Sequence, residues 1–466
     1  MTTLPQAWAR GWAAAPDAAV LLAGHDRWAA GDVEEQTASR ARRLAAFGVV
    51  AGDRVVVSAV TTPDLVLAHI ALLRLGAVVV PVNPAAAPRE LAHVLDVVRP
   101  VAAVTDRPDR FAGPDLLVTT PELPLLAGGD PLLDASPPGA AALIVFTSGT
   151  TGAPKGAVHT HASLLAGARS LVAAWRWTHE DRLVHALPLF HVHGLAVGLY
   201  GSLLAGASVR LLDRFDVDGV LDAVSEPEST LFFGVPTMYD RLLRSSRAGE
   251  LARLRLLVSG SAPLPAELFA RVESVTGTPP LERYGMTETL MLTSNPVDGE
   301  RRAGTVGLPL PDVEVRLAAD GQVEVRGPNV FGGYWEDAQA DRAAFADDGW
   351  FRTGDAGEWD RDGYLRLVGR FSELIITGGF NVYPREVEDV LRQVPGVTDV
   401  AVVGVPDDEW GEVVTAFVVG TAAETELRAA ASDGLSPYKR PRAWHRLDAL
   451  PRNAMGKVER RRLRPA

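Results

Sequence analysis

The chain has 466 residues, 47% hydrophobic and 22% charged, with a formal net charge of −12. That length is too great for one ordinary core and predicts two or more domains of a soluble globular protein. It contains no cysteine, which excludes disulfides, thiolate metal sites and cysteine nucleophiles.

Residues Met1 to Ala15 hold one Arg and two Trp but no continuous apolar run of the kind a secretory leader needs. The most apolar long stretch, Val66 to Val82, is interrupted by His69, Arg74, Gly76 and Pro81. It suits a core helix leading into a strand, not a membrane span. A cytoplasmic enzyme without membrane insertion is therefore expected.

Helical periodicity over Glu35 to Phe47 is followed by a β-branched run, Arg54 to Ala59, and a second helical pattern, Pro63 to Leu75. A strand at Ala77 to Val82, a helix at Pro88 to Val98 and a strand at Val101 to Thr105 continue the alternation. This rhythm predicts a parallel sheet covered by helices. Pro124 to Gly139, rich in Pro, Gly and Asp, reads as a loop, and Ala141 to Phe146 as a buried strand.

That strand empties into Val145-Phe-Thr-Ser-Gly-Thr-Thr-Gly-Ala-Pro-Lys-Gly156. Glycines let a backbone turn sharply and bring its N–H groups close to an anion, while hydroxyls and an ammonium add donors for phosphate oxygens. It is not a Walker A loop, because Pro154 stands where the second glycine would fall and Gly156 follows Lys155.

Beyond it, Ala162 to Trp175 and Gly194 to Leu204 read as helices. Arg182 to His185, Ser208 to Leu212, Thr230 to Phe233 and Leu254 to Val258 read as strands. From Val313 to Val325 the pattern changes to short alternating strands around Asp320-Gly321. Asp360 to Gly363 and Tyr364 to Val368 form another hairpin, so a separate antiparallel unit is expected. Ser372 to Ala466 has an α/β pattern of its own. From Pro437 onward ten Lys/Arg stand against Asp448 and Glu459, a local +8 that leaves −20 for the rest. Without a recognition motif or interleaved aromatics, this tail suits a small polyanionic substrate better than nucleic acid.

Five further stretches carry chemistry. Val258-Ser-Gly-Ser-Ala262 is a strand end of small residues where a flat ring can approach the backbone. In Glu282-Arg-Tyr-Gly-Met-Thr-Glu-Thr289, Tyr284 can stack on a base, Thr287 can bond a phosphate, and Glu288 can offer Mg²⁺ a hard oxygen. Phe351-Arg-Thr-Gly-Asp355 with Gly369-Arg370 places an acid for ribose hydroxyls and a cation beside it. Thr377-Gly-Gly-Phe-Asn-Val-Tyr-Pro-Arg-Glu386 and Pro451-Arg-Asn-Ala-Met-Gly-Lys457 close the set.

Together, over nearly the whole chain and in this order, these stretches resemble the acyl-adenylate-forming (AMP-binding) superfamily. Its members include acyl-CoA synthetases, peptide-synthetase adenylation domains and firefly-type luciferases. The resemblance implies an α/β fold: a large N-terminal domain of packed α/β sheets plus an antiparallel β unit, residues 1–371, and a small mobile α+β C-terminal domain, residues 372–466. It implies that Thr147, Ser148, Gly149, Thr150, Thr151, Gly152 and Lys155 hold the ATP phosphates. Ser259, Gly260, Ser261 and Ala262 with Tyr284 flank adenine, and Gly285, Met286 and Thr287 complete the nucleotide contacts. Glu288 is the magnesium ligand, Asp355 and Arg370 hold the ribose, and Lys457 is the adenylation lysine. A hinge falls at Ser372, where relatives usually carry Asp or Lys. Gly378, Gly379 and Phe380 line the CoA tunnel, and Lys439 and Arg440 are expected to attract the phosphates of CoA.

Pro188-Leu-Phe-His-Val-His-Gly194 offers two imidazoles and no acid for a substrate amine, which disfavours an amino-acid-activating domain that charges a carrier protein. An oxygenase has no positive sign, and a non-catalytic homologue is disfavoured because Lys457, Glu288, Asp355 and the phosphate stretch are all present. Within the superfamily these stretches are most similar to malonyl-CoA synthetases, with a medium- or long-chain fatty acyl-CoA synthetase as the alternative. ATP, Mg²⁺, coenzyme A and a small carboxylate are the expected partners, malonate first and methylmalonate next, for a monomer or homodimer. A dicarboxylate needs a cation for its second carboxylate, and Arg283, with His191 and Ser261, is expected to supply the donors.

Overall fold

The computed structural model describes residues 2–111, 116–123, 132–147, 154–453 and 456–463. Several elements form where capping chemistry dictates. The Thr62 hydroxyl accepts the Leu65 N–H at 3.1 Å. Pro63 opens the helix Pro63–Leu75, and Gly76 ends it in the left-handed conformation at φ 83°. This helix is buried on every side from Leu65 to Leu75, so its two polar members need partners. His69 Nε2 meets the Tyr200 hydroxyl at 2.5 Å, and burial pushes its pKa down to about 3. Arg74 reaches Glu34 at 2.6 Å and Asp134 at 3.1 Å.

Two large sheets organise the first 314 residues. One runs in the order Leu117–Thr119, Ala102–Thr105, Arg54–Ser58, Val78–Pro81, Ala141–Phe146, Gly156–Thr160. Its strands are parallel until the last pair, which is antiparallel. The other has nine strands, and its parallel centre comprises Leu281–Tyr284, Leu256–Ser259, Leu231–Gly234, Arg182–His185 and Ser208–Leu211. In both sheets the chemically loaded stretches sit at the carboxyl ends of strands, where open α/β sheets bind ligands.

Some expectations shift. The helix expected from Glu35 begins at Ala30, because the Asp32 carboxylate accepts the Ala29 N–H at 2.9 Å. The helix expected over Gly194 to Leu204 is a π-helix, His193–Leu199, followed by an α-helix, Tyr200–Ala205. Two close approaches shape that region: a Cβ on Gly194 would lie 2.3 Å from the Pro188 carbonyl oxygen, and one on Gly198 2.7 Å from the His185 ring. The helices Leu4–Ala14, Val217–Val224, Pro236–Leu242 and Ala266–Thr276 and the hairpin over Ala19–Ala23 and Asp26–Ala29 were not expected. Part of the loop expected over Pro124 to Gly139, residues 124–131, lies outside the described residues.

The chain forms two compact units, Met1–Glu314 with Arg326–Phe351, and Val315–Val325 with Arg352–Ala466. The antiparallel sheet Glu314–Leu317, Gln322–Arg326, Phe351–Trp359, Leu365–Arg370 thus falls mostly in the second unit. Asp360 to Gly363 is a turn, and the strand after it pairs with Phe351–Trp359. The remainder of that unit packs the helices Pro384–Arg392 and Glu424–Gly434 on a five-stranded sheet through Val387, Leu391, Leu427 and Ala431. Among the described residues no helix is long and apolar enough to cross a membrane.

Candidate active site

The phosphate stretch is closed at its base. The antiparallel pair Ala141–Phe146 and Gly156–Thr160 ends with Phe146 opposite Gly156, and the Thr147 N–H donates to the Lys155 carbonyl at 2.9 Å. Ser148, Gly149, Thr150, Thr151 and Gly152 lie outside the described residues. Lys155 points its ammonium at the ring of Tyr334, 5.2 Å from the centroid. Tyr334 is carried there because residues 332–335 run along the strand Gly156–Thr160. Gly332 N–H donates to Val158 O at 2.8 Å, Val158 N–H to Gly333 O at 2.9 Å and Trp335 N–H to Gly156 O at 2.7 Å.

The turn bearing Thr287 and Glu288 is held from several sides. Gly285 admits no side chain, since a Cβ there would lie 1.9 Å from the Leu290 carbonyl oxygen. Asn329 Nδ2 donates to Thr289 O and Met291 O at 2.7 and 2.9 Å, and the Phe331 N–H donates to Glu288 O at 2.8 Å. His159 Nε2 donates to Thr287 O at 2.7 Å while Nδ1 accepts from Ser163 Oγ at 3.3 Å. Burial pushes the His159 pKa down to about 4, so the ring is neutral and this tautomer satisfies both nitrogens. The buried Glu288 carboxylate accepts the Tyr334 hydroxyl at 2.9 Å. Burial, reinforced by Glu288, pushes the phenol up, so it remains a proton donor.

One buried carboxylate oxygen pair fits a magnesium ion that keeps most of its ligands as water and phosphate. Among the described residues no cluster of three or more His, Cys, Asp or Glu could hold a metal alone.

At the neighbouring strand end, a Cβ on Gly260 would lie 2.3 Å from Arg283 Cζ, so the guanidinium packs directly against Gly260. Ser261 adopts φ 68°, and its Oγ lies 3.1 Å from His193 Nδ1. Arg283 is 4% exposed, and its Nε and Nη2 have no hydrogen-bond partner among the described residues. Burial brings its pKa down to about 9, still charged at neutral pH. A structural pair with Glu282 is not formed by hydrogen bond; Glu282 Oε1 accepts the Leu264 N–H at 2.9 Å. Burial and then the charge of Arg283 push His191 down to about 4 and His193 well below its ordinary value. Tyr284 is buried on the strand Leu281–Tyr284, one residue beyond Arg283.

The second unit holds the remaining candidates. The register of its antiparallel sheet sets Asp355 opposite Arg370, with Arg370 Nε 2.9 Å from Asp355 Oδ1. Lys457 follows Gly456 at φ 74°, and its backbone N–H is held by Asn453 Oδ1 at 3.0 Å. Burial first, then Arg370, push the ammonium's pKa below its ordinary range, against the opposing pull of Glu373 and Asp355. Ser372 lies in the short 3₁₀ turn Phe371–Glu373. Gly378 and Gly379, at φ 55° and 80°, turn the hairpin between Ile375–Thr377 and Phe380–Val382. Phe380 stacks on Tyr438 with centroids 4.6 Å apart. Lys439 pairs with Glu386 at 2.5 Å, and Arg440 donates to Leu435 O and Ser432 O, so both basic side chains have partners within their own unit.

Tyr334 and His159 escape a reading of local motifs because their partners lie 46 and 128 residues away. The aromatic after Gly332-Gly333, at the end of a glycine-rich approach, is the one local signal that marks Tyr334.

Comparison with known proteins adds to this geometry. Residues 8–335 match the family model of the AMP-binding enzymes, and residues 386–457 match that of the AMP-binding enzyme C-terminal domain. A malonate–CoA ligase of Arabidopsis thaliana is 40% identical over 365 residues, 69% of this chain and 60% of that protein. The chain thus spans under two thirds of that relative's length. A methyl-dioxo-octahydroindenyl-propanoyl:CoA ligase of Mycobacterium tuberculosis is 37% identical over 500 residues, covering 100% of this chain and 99% of its own. The crystal structure of ATP-bound MatB from Rhodopseudomonas palustris superposes with a TM-score of 0.92 at 36% identity, over 99% of this chain and 98% of that one. The chain belongs to the AMP-binding enzyme family.

Proposed function

We propose that this chain is an AMP-forming acyl-CoA ligase that joins a small dicarboxylate, malonate first, to coenzyme A. In this reading the acid attacks the α-phosphate of ATP to give acyl-AMP and pyrophosphate, and the CoA thiol then displaces AMP. Thr147 to Lys155 hold the phosphates, with Thr287 as a further donor. Ser259 to Ala262 with Tyr284, Gly285 and Met286 receive the adenine, and Asp355 and Arg370 the ribose. Magnesium on Glu288 would offset phosphate charge, and Lys457 would neutralise the charge that grows on the α-phosphate. A division at Ser372, residues 1–371 against 372–466, would let the C-terminal part carry Lys457 for the first step and Gly378, Gly379 and Phe380 for the second. Lys439 and Arg440 would act on CoA through the charge of their surface.

The observation that carries the substrate is Arg283. A buried guanidinium with two nitrogens unmet among the described residues is costly unless an anion arrives to pair with it. It lies against the backbone of Gly260, beside the strand end that carries Ser261. The second carboxylate of a dicarboxylate supplies that anion, and a fatty acid does not. His191 and Ser261 are the further donors. A panel of malonate, methylmalonate, octanoate and longer acids, assayed with ATP and CoA by pyrophosphate release, tests the reading. Malonate or methylmalonate is expected to lead, and Arg283→Met to lower kcat/KM for malonate by on the order of 2–5 kcal/mol while sparing a short monocarboxylate. Preference for octanoate by the unmodified enzyme overturns the assignment.

A further inference from the structure

We propose that Tyr334 and His159 are positioning residues that fix Glu288 in register with Lys155, so that its carboxylate meets a phosphate-bound divalent cation at one defined place. The proposal rests on the reading of Glu288 as the magnesium carboxylate and adds the parts that hold it there.

The contacts close into a ring. Lys155 leads into the strand Gly156–Thr160, and that strand carries His159 to the Thr287 carbonyl at 2.7 Å. Gly156 and Val158 pair through their backbones with residues 332–335, which deliver Tyr334 to Glu288 at 2.9 Å. The ring of the same tyrosine faces Lys155, which returns the circuit to its start. The neighbouring Phe331 N–H holds the Glu288 carbonyl. Each of these braces on Glu288 is therefore referred to the strand that Lys155 begins.

The choice of partner for Glu288 matters as much as its position. The Tyr334 phenol orients the carboxylate without bringing a charge of its own. Tyr334 serves the lysine as well. Lys155 and Glu288 each meet a different part of Tyr334, the ammonium its face and the carboxylate its hydroxyl. One side chain therefore touches both the lysine and the carboxylate. His159 acts on the backbone: as a neutral, buried ring with a single N–H toward Thr287, it prevents the turn from drifting along the strand.

The test measures ATP binding to the full-length enzyme by calorimetry, with and without Mg²⁺. Tyr334→Phe keeps the ring and removes the hydroxyl. It is expected to reduce the magnesium-dependent gain in ATP affinity about tenfold, as for the loss of one hydrogen bond to a charged group, and to leave metal-free ATP binding unchanged. The Mg²⁺ concentration giving half-maximal pyrophosphate release should rise in parallel, with KM for the acid and for CoA unmoved. His159→Gln, which retains an N–H donor, is expected to lose less of the gain than His159→Ala, and it is the variant to use if Tyr334→Phe does not fold. An unchanged magnesium-dependent gain in Tyr334→Phe, or equal losses with and without the metal, overturns the proposal. Glu288→Gln separates the two readings. If it keeps the gain, Glu288 does not hold the metal; if it loses the gain and Tyr334→Phe does not, only the brace is wrong.

Discussion

Two lysines close turns in this chain, and their surroundings differ in kind. Lys155 faces a neutral ring whose hydroxyl is already on Glu288, so its ammonium has an aromatic neighbour and, among the described residues, no ion pair with an acid. Lys457 is half-buried among Arg370, Glu373, Asp355 and Arg460, a cluster of both signs that includes another fixed ion pair, Arg460 with Glu373 at 3.0 Å. The first is set to receive an anion without rearrangement. The second sits in balanced charge, and its depressed pKa reflects burial and a like neighbour more than an anion waiting beside it.

Replacing each lysine tests that contrast most severely. Lys457→Ala is expected to slow acyl-AMP formation by about a thousandfold or more, as for loss of a donor to the transition state, while supplied acyl-AMP is still converted to acyl-CoA. Lys155→Ala is expected to cost about tenfold, mainly in KM for ATP, because its contact is made in the ground state. Equal losses of both half-reactions in Lys457→Ala, with the fold intact, would show that the lysine does not act in the first step alone.

A second expectation sharpens the comparison by pH. Nine of the ten histidines belong to the first unit and only His445 to the second. Of these, His69, His159, His161, His185 and His193 are buried, with pKa values that burial pushes below 6.5. A histidine whose folded pKa is depressed binds its proton more readily in the unfolded chain. Its contribution is therefore complete above pH 6.5 and is lost as the pH falls toward 4, at on the order of 1.4 kcal/mol per pH unit for each group. Hydrogen exchange at pH 7.5 and 5.5 should show the first unit loosening while the second is little changed. Parallel loosening of both would place the acid sensitivity elsewhere.

The smallest effect is expected in the basic tail. Reversing Lys439 and Arg440 to Glu should raise KM for CoA a few-fold, more than KM for ATP, with the difference shrinking in salt. Since Lys439 is paired with Glu386 and Arg440 holds two carbonyls, equal effects on both substrates would assign these residues to folding.

What the sequence made legible was local. Pro63 and Gly76 bracket a helix to the residue, Pro88–Val98 follows the same pattern, and the apolar run Ala141–Phe146 is a strand with the phosphate stretch at its end. The pairing of Asp355 with Arg370 needed the true hairpin register, which the expected strand at Tyr364 to Val368 did not supply. The π-helix His193–Leu199 has no signature in periodicity, because it arises where Gly194 and Gly198 meet Pro188 and His185 from elsewhere in the fold. Helix Leu4–Ala14 buries Trp8 and Trp12 on one face, a spacing that is present in the sequence but short for a periodic signal.

The absent side chain at Gly285 bears on how such an enzyme diverges. Any Cβ there would collide with the Leu290 backbone, so the turn that carries Thr287 and Glu288 cannot be retuned by substitution at its first residue. Arg283 stands on the strand Leu281–Tyr284, His191 in the bend before the helix His193–Leu199, and Ser261 just past the strand Leu256–Ser259. In the proposed reading, descent exchanges one acid for another by altering those side chains, while the turn at Gly285 is held constant by backbone that tolerates no addition.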